Sequence, residues 1–163
     1  SPALTKDWRI FVTGSDFVIK DIAVQTFSVP HDAMDPVGFV LHHGIAALGF
    51  LTDLGFATKL ACERVKQAQT LVIEANHDEH LLQMDTKRPW STKQRIMSRH
   101  GHLSNTAAAD VVAGMAGGNL RRTVLGHLTT AGSTFGVLLD AASQLSSTAG
   151  VTLSRDFSVS RST

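Results

Sequence analysis

The chain is short of cysteine, of net charge and of long apolar runs, and each shortage removes a class of protein. Its one cysteine, Cys62, excludes an internal disulfide and fits a reducing, cytoplasmic setting. Fifteen Lys and Arg face 14 Asp and Glu, a formal net charge of +1. Overall charge therefore points neither to nucleic acid nor to a membrane surface, and any basic face must be local. The longest apolar stretch, VGFVLHHGIAALGFL, is broken by His42, His43 and three glycines. It falls short of the roughly 20 residues that a membrane helix needs. No signal peptide is expected, and a start at Ser1 in loop-like sequence reads as a processed, trimmed or partial product. The remaining composition, 43% hydrophobic over 163 residues, suffices for one domain over 1–163 with a buried core.

The hydrophobic pattern predicts strands first and helices later. RIFVTGSDFVIK sets a Gly-Ser-Asp turn between two apolar runs, a hairpin signal. IAVQTFSV alternates like a half-buried strand that ends at Pro30, and GFVLHH and IAALGFLTD form a second hairpin about Gly44. ATKLACERVKQA places Leu60, Ala61, Val65 and Ala68 at helical spacing, and TLVIEA follows as a short apolar strand. SNTAAADVVAGM reads as a helix capped by Ser104 or Asn105. RRTVLGHL is another buried strand, STFGVLLDAASQL another helix, GVTLSRDFSVS a terminal strand and SVSRST a frayed tail. Antiparallel strands followed by β-α-β-α-β predict a mixed α/β fold in which helices cover a mixed sheet.

Several side chains could carry chemistry. His77, Asp78, Glu79 and His80 crowd into four positions, and His-x-x-His can place two imidazoles on one helical face. Asp53, in GFLTDLG, follows an apolar strand, where it either projects into a cleft or caps the next helix. His31 after Pro30 and His127 in VLGHL also stand where apolar strands end. One such residue would be unremarkable, but three at separate strand ends point to a common rim. Imidazoles with a carboxylate suit zinc or manganese. His102, just before a helix start, could be a general acid or could pack against that helix. KRPWSTKQRIMSRHGH carries Lys87, Arg88, Lys93, Arg95 and Arg99 without an acid. It reads as a solvated face or as a phosphate-binding surface, with Trp90 able to stack on a base.

Taken in order, HDAMDPVGFV, FLTDLG, LVIEANHDEHLL, RPWSTKQRIMSRHGHLSN and VLGHLT resemble the metallo-β-lactamase-fold hydrolases. The resemblance is narrowest to the bacterial YycJ/WalJ-type branch, related to ribonuclease Z, ribonuclease J and PhnP-like phosphodiesterases. It runs from about Phe11 to the terminal strand and implies the C-terminal part of an αββα sandwich. It further implies that His31, Asp53 and His127 are metal ligands, with Asp53 bridging two divalent ions, zinc or manganese. His102 resembles the histidine that protonates the leaving oxygen, and Glu74 the glutamate that orients it. Lys93, Arg95 and Arg99 would hold phosphates, and His77 and Asp78 would face the cleft, whereas Glu79 and His80 start a short helix in solvent. The activity implied is phosphodiester hydrolysis by hydroxide attack between two metals, on DNA in an exonuclease, with RNA or a small phosphodiester as other substrates.

The family's His-x-His-x-Asp-His run is absent from all 163 residues, and TTAGST follows His127 where the family has Ser and an Asn pair. The expectation is a C-terminal portion with three ligands and the acid, inactive alone, whose missing half lies upstream or on a partner chain. The rival expectation is a non-catalytic binding or assembly module derived from a hydrolase half.

Overall fold

The computed structural model describes residues 8–127 and the backbone of a two-residue strand at 152–153. Its elements in chain order are β1 (Asp16–Ile19), β2 (Ile22–Ser28), β3 (Val37–His43), β4 (Ala46–Leu51), α1 (Lys59–Val65), β5 (Thr70–Glu74), α2 (Glu79–Met84), α3 (Trp90–Ile96), α4 (Asn105–Gly114), β6 (Arg122–Gly126) and β7 (Thr152–Leu153). They form one mixed sheet in the order β1-β2-β3-β4-β5-β6-β7. Pairing is antiparallel from β1 to β4 and parallel from β4 to β7.

Alternation decides which face of the sheet is buried. Leu71, Ile73 and Ala75 on and just past β5, Leu51 on β4 and Val40 on β3 share one core with Phe27, Val29 and Leu54. Ala61 and Val65 of α1, and Ala108, Val111 and Val112 of α4, close over it. Each fully buried Leu, Ile or Val contributes roughly 1.5–3 kcal/mol relative to exposure, so this face sets the register. A one-residue slip of β5 would turn Leu71 and Ile73 outward. The caps are local: Thr58 accepts from the Ala61 N–H, and Ser104, not Asn105, is the N-cap of α4, accepting from the Ala107 N–H at 3.3 Å.

Two elements differ from the sequence-based expectation. The first hairpin turns at Lys20–Asp21, with Ile19 opposite Ile22 and Lys20 at φ +56°, and not at Gly14-Ser15-Asp16. Residues 9–12 are not a strand. Thr26 instead takes up Gly14 and Ser15, its hydroxyl accepting from the Gly14 N–H and donating to the Ser15 carbonyl. The basic stretch contains the unanticipated helix α3, whose sparse apolar spacing gave no helical signal. The helix expected over STFGVLLDAASQL and the tail SVSRST lie outside the described residues, and of the expected terminal strand only Thr152–Leu153 falls within them. Among the described residues no helix is long and apolar enough to cross a membrane.

Candidate metal centre

Four strands that run the same way deliver the reactive side chains to one sheet edge. β3 is antiparallel to both β2 and β4, so β2 shares the direction of β4, and β5 and β6 continue it. His31 follows β2, Asp53 follows β4, Glu74 ends β5 and His127 follows β6. Carboxyl ends of parallel strands are the usual place for such a site. β2 and β4 are not neighbours, so the His31 loop must curl over the start of β3. It is drawn in where Pro30 accepts from the Gly55 N–H at 3.0 Å and where the Asp32 N–H donates to the His100 carbonyl at 2.9 Å.

Asp53 and His127 both adopt left-handed backbone, at φ +56° and +54°. Such a conformation costs on the order of 1–3 kcal/mol for a residue with a Cβ, and it turns each side chain off its strand axis. One Asp53 oxygen, Oδ1, lies 3.3 Å from His127 Nδ1 and 3.9 Å from His31 Nε2. His31 Nδ1 lies 2.9 Å from the Gly101 carbonyl, which only an N–H can satisfy, so Nε2 carries the lone pair. Gly101 has no room for a Cβ, which would collide with the carbonyls of Arg95 and Ile96. Only glycine lets that loop present its carbonyl to His31.

Glu74 is fully buried and joins three loops. Its Oε2 accepts from the Leu54 N–H at 3.1 Å, fixing the residue after Asp53. Its Oε1 lies 2.6 Å from His102 Nδ1 and 3.1 Å from His127 Nδ1. Burial alone would raise its pKa. Hydrogen bonds from His102, His127 and Leu54 reverse that and hold the carboxyl at about 2. The same contact with Glu74 raises the pKa of His127, against the opposing effect of burial. His102 stands between the other two imidazoles, its ring centroid 5.0 Å from that of His31 and 4.9 Å from that of His127. With Nδ1 engaged by Glu74, its Nε2 is the nitrogen left to act.

The donors form two overlapping trios, His31–Asp53–His102 and Glu74–His102–His127, each with ligand atoms within 4.8 Å of one another. Three imidazoles, one of them oriented by a backbone carbonyl, beside two carboxylates are a donor set that fits borderline divalent ions. These residues are chemically suited to the metal that the resemblance implies.

The residues expected on the substrate side divide. Lys93 is buried and its ammonium donates to the Gln83 carbonyl at 2.8 Å, tying α3 to the end of α2. His77 is 1% exposed and does not face a cleft; the chain buries it beneath the α4 start, where it bridges to Ser104. Burial lowers its pKa. Asp78 accepts from the Leu81 N–H at 2.8 Å and is the N-cap of α2. Arg95 is exposed and paired with Asp32, next to His31, and the pairing lowers the pKa of Asp32. The Arg99 guanidinium lies 4.2 Å over the ring of Phe56, close to Asp53 in sequence. Glu79 and His80 are exposed at the start of α2. Sequence reasoning missed Asp32, Gly101 and Leu54, because two of them act through backbone groups that every residue has; the aspartate beside His31 was the one readable signal.

A sequence profile described as a β-lactamase superfamily domain matches residues 2–128. Over 120 residues the chain is 35% identical to exodeoxyribonuclease YycJ of Bacillus anthracis, a match covering 74% of this chain and 45% of the relative. It is 34% identical over 121 residues to exodeoxyribonuclease WalJ of Streptococcus pneumoniae, with the same coverage of 74% and 45%. The crystal structure of zinc-bound PqqB from Methylobacterium extorquens superposes with a TM-score of 0.59 at 20% identity, over 90% of this chain and 52% of that one. The chain therefore spans less than half the length of the curated relatives it matches.

Proposed function

The chain belongs to the β-lactamase superfamily, in the metallo-β-lactamase branch of YycJ and WalJ, and on that premise we propose that it serves a metal-dependent phosphodiester hydrolase, an exonuclease acting on DNA. The observation that carries the reading is the convergence of His31, Asp53, His127 and the Glu74–His102 pair at one sheet edge. His31, Asp53 and His127 would hold two divalent ions, zinc or manganese, with Asp53 Oδ1 facing both histidines. When bound, such ions supply an activated water and offset charge on the phosphoryl oxygens.

The chain's own residues account for the proton and for binding. Glu74 accepts the His102 Nδ1–H and so leaves Nε2 facing the leaving oxygen; once Nε2 has taken a proton from solvent, His102 gives it to that oxygen as the P–O bond breaks and returns to the neutral ring. The buried carboxylate fixes the ring and keeps Nε2 turned away from it. Arg95 and Arg99 flank the His31 and Asp53 loops with exposed or ring-stacked guanidinium groups suited to neighbouring phosphates. A preference for DNA over RNA belongs to the same proposal and rests on the names of the two relatives, and a cytoplasmic location on the single cysteine.

The test uses the full-length protein with end-labelled duplex DNA and with single-stranded RNA, with manganese or zinc and after chelation. Metal-dependent loss of terminal nucleotides from DNA is expected. Equal turnover of RNA would refute the preference for DNA, and no turnover of either would sink the reading.

A second reading rests on one observation, the absence of His-x-His-x-Asp-His from the 163 residues. With Asp53 shared, His31 and His127 leave each ion two protein ligands, below the three of catalytic zinc sites. The 163 residues alone are then expected to bind metal weakly and to leave DNA intact until another segment or a partner chain supplies ligands. A stoichiometry of two metals with turnover from these residues as a monomer would refute this. A non-catalytic assembly module gains if the full-length protein also carries no such run.

A further inference from the structure

Asn76 lies between the His102 and His127 loops and touches both. It comes two residues after Glu74, just beyond the end of β5, and is 6% exposed. Its backbone N–H donates to the carbonyl of Leu103, the neighbour of His102, at 2.9 Å. Its side-chain Nδ2 donates to the carbonyl of His127 at 3.0 Å. The residue before it adds a third tie, the Ala75 N–H donating to the Gly126 carbonyl at 3.1 Å.

These bonds act on a residue that needs them. At φ +54° His127 occupies backbone space that a side chain with a Cβ keeps only when its surroundings fix it. β6 has already ended, so the ladder no longer does so. The Ala75 bond anchors the peptide plane before His127, and the Asn76 amide anchors the plane after it. Holding both planes sets φ and ψ together, and with them the direction in which the imidazole leaves the backbone. From the other side Asn105 braces the same turn, its N–H donating to the His77 carbonyl at 2.8 Å. With its amide turned so that the nitrogen faces them, Asn105 would also donate to the Ala75 and His77 carbonyls, at 3.1 and 3.2 Å.

We propose that Asn76 is a positioning residue of the metal centre, which holds His127 in its left-handed conformation and keeps it in step with His102 through Leu103. This deepens the assignment of His127 as a metal ligand and rests on it. The chemistry explains why an amide stands here. A carbonyl needs a donor; Asp has the size of Asn but offers only acceptors when ionised, and Ala offers nothing. Asn76 touches no substrate in this role, so its loss should lower kcat and leave KM for DNA in place.

The experiment compares wild type, Asn76→Asp and Asn76→Ala in the full-length protein. In metal-free protein with labelled histidine, the backbone carbon shifts of His127 report its φ, and both variants should lose the left-handed signature. Zinc affinity by calorimetry should fall about 10–100-fold, with Asn76→Asp at least as impaired as Asn76→Ala. In the wild type alone, a scalar coupling across the hydrogen bond should connect Asn76 Nδ2 with the His127 carbonyl carbon. That last measurement decides the matter if a variant fails to fold, since its absence overturns the proposal. So does an Asn76→Asp protein with native His127 signals and unchanged zinc affinity. If wild type cleaves no DNA while the coupling and the zinc effect are present, the nuclease reading fails and the positioning role stands.

Discussion

Between His77 and His80 the chain sets two imidazoles and two carboxylates in consecutive positions, whereas His31, Asp53, Glu74, His102 and His127 come from five separate segments. In the folded chain the crowded set disperses: His77 is buried, Asp78 caps α2, and Glu79 and His80 are exposed. The scattered set converges, with Glu74 Oε1 and Asp53 Oδ1 each within 4 Å of two imidazole nitrogens, one of them in each case that of their shared partner His127. Neighbours along a turn point in different directions, while the ends of co-directional strands point to one place. Proximity in sequence is therefore a poor guide to a site, and topology a good one.

Substitutions in the two regions should separate them, and the largest difference is in activity. His102→Ala in the full-length protein should slow DNA hydrolysis by about 10²–10⁴-fold, while an aryl phosphodiester with a good leaving group keeps most of its rate. His80→Ala should change neither rate. Comparable losses with both substrates would remove His102 from the role of acid.

Next comes stability. Glu74→Gln replaces a carboxylate that serves Leu54, His102 and His127 with an amide that must turn a donor toward donors. A loss of about 3–5 kcal/mol is expected, as for a broken buried pair, read from the urea midpoint. A loss below 1 kcal/mol would show that Glu74 does not join the three loops. Asp78→Ala in the crowded region removes one helix cap and should cost about 1 kcal/mol by thermal unfolding, with DNA hydrolysis unaltered.

The smallest effect is a pH slope. Burial holds the pKa of His77 below its ordinary value of 6.5, so the unfolded chain takes up a proton that the folded chain refuses. Stability from this residue is complete above pH 6.5 and is lost as pH falls from there toward the folded pKa. His77→Gln should flatten that part of the stability curve, and an unchanged slope would assign it to another group.

Much of this was legible in the residues. Alternation marked β2, short apolar runs marked β5 and β6, Gly44 marked the second hairpin, and His31, Asp53 and His127 were readable as strand-end residues once several such ends were considered together. Glu74 was readable as a partner of His102. Its bonds to Leu54 and His127 were not, because they depend on the register that sets Glu74 opposite Gly126. Lys93 read as one more surface cation, and nothing in its neighbours in sequence shows that its ammonium meets a carbonyl at the end of α2.

By itself the sequence determined most of the local matters: that β2 to β6 are strands, that helices lie at α1, α2 and α4, which side chains can ligate or donate, and the family to which they belong. These follow from side-chain period, caps and residue chemistry, all properties of short segments. Tertiary structure alone decided which titratable groups meet, which way His127 leaves its strand, and that Asn76 holds it there. Those outcomes depend on strand direction and on hydrogen bonds between segments up to 70 residues apart, as from His31 to Gly101, and no local pattern encodes them.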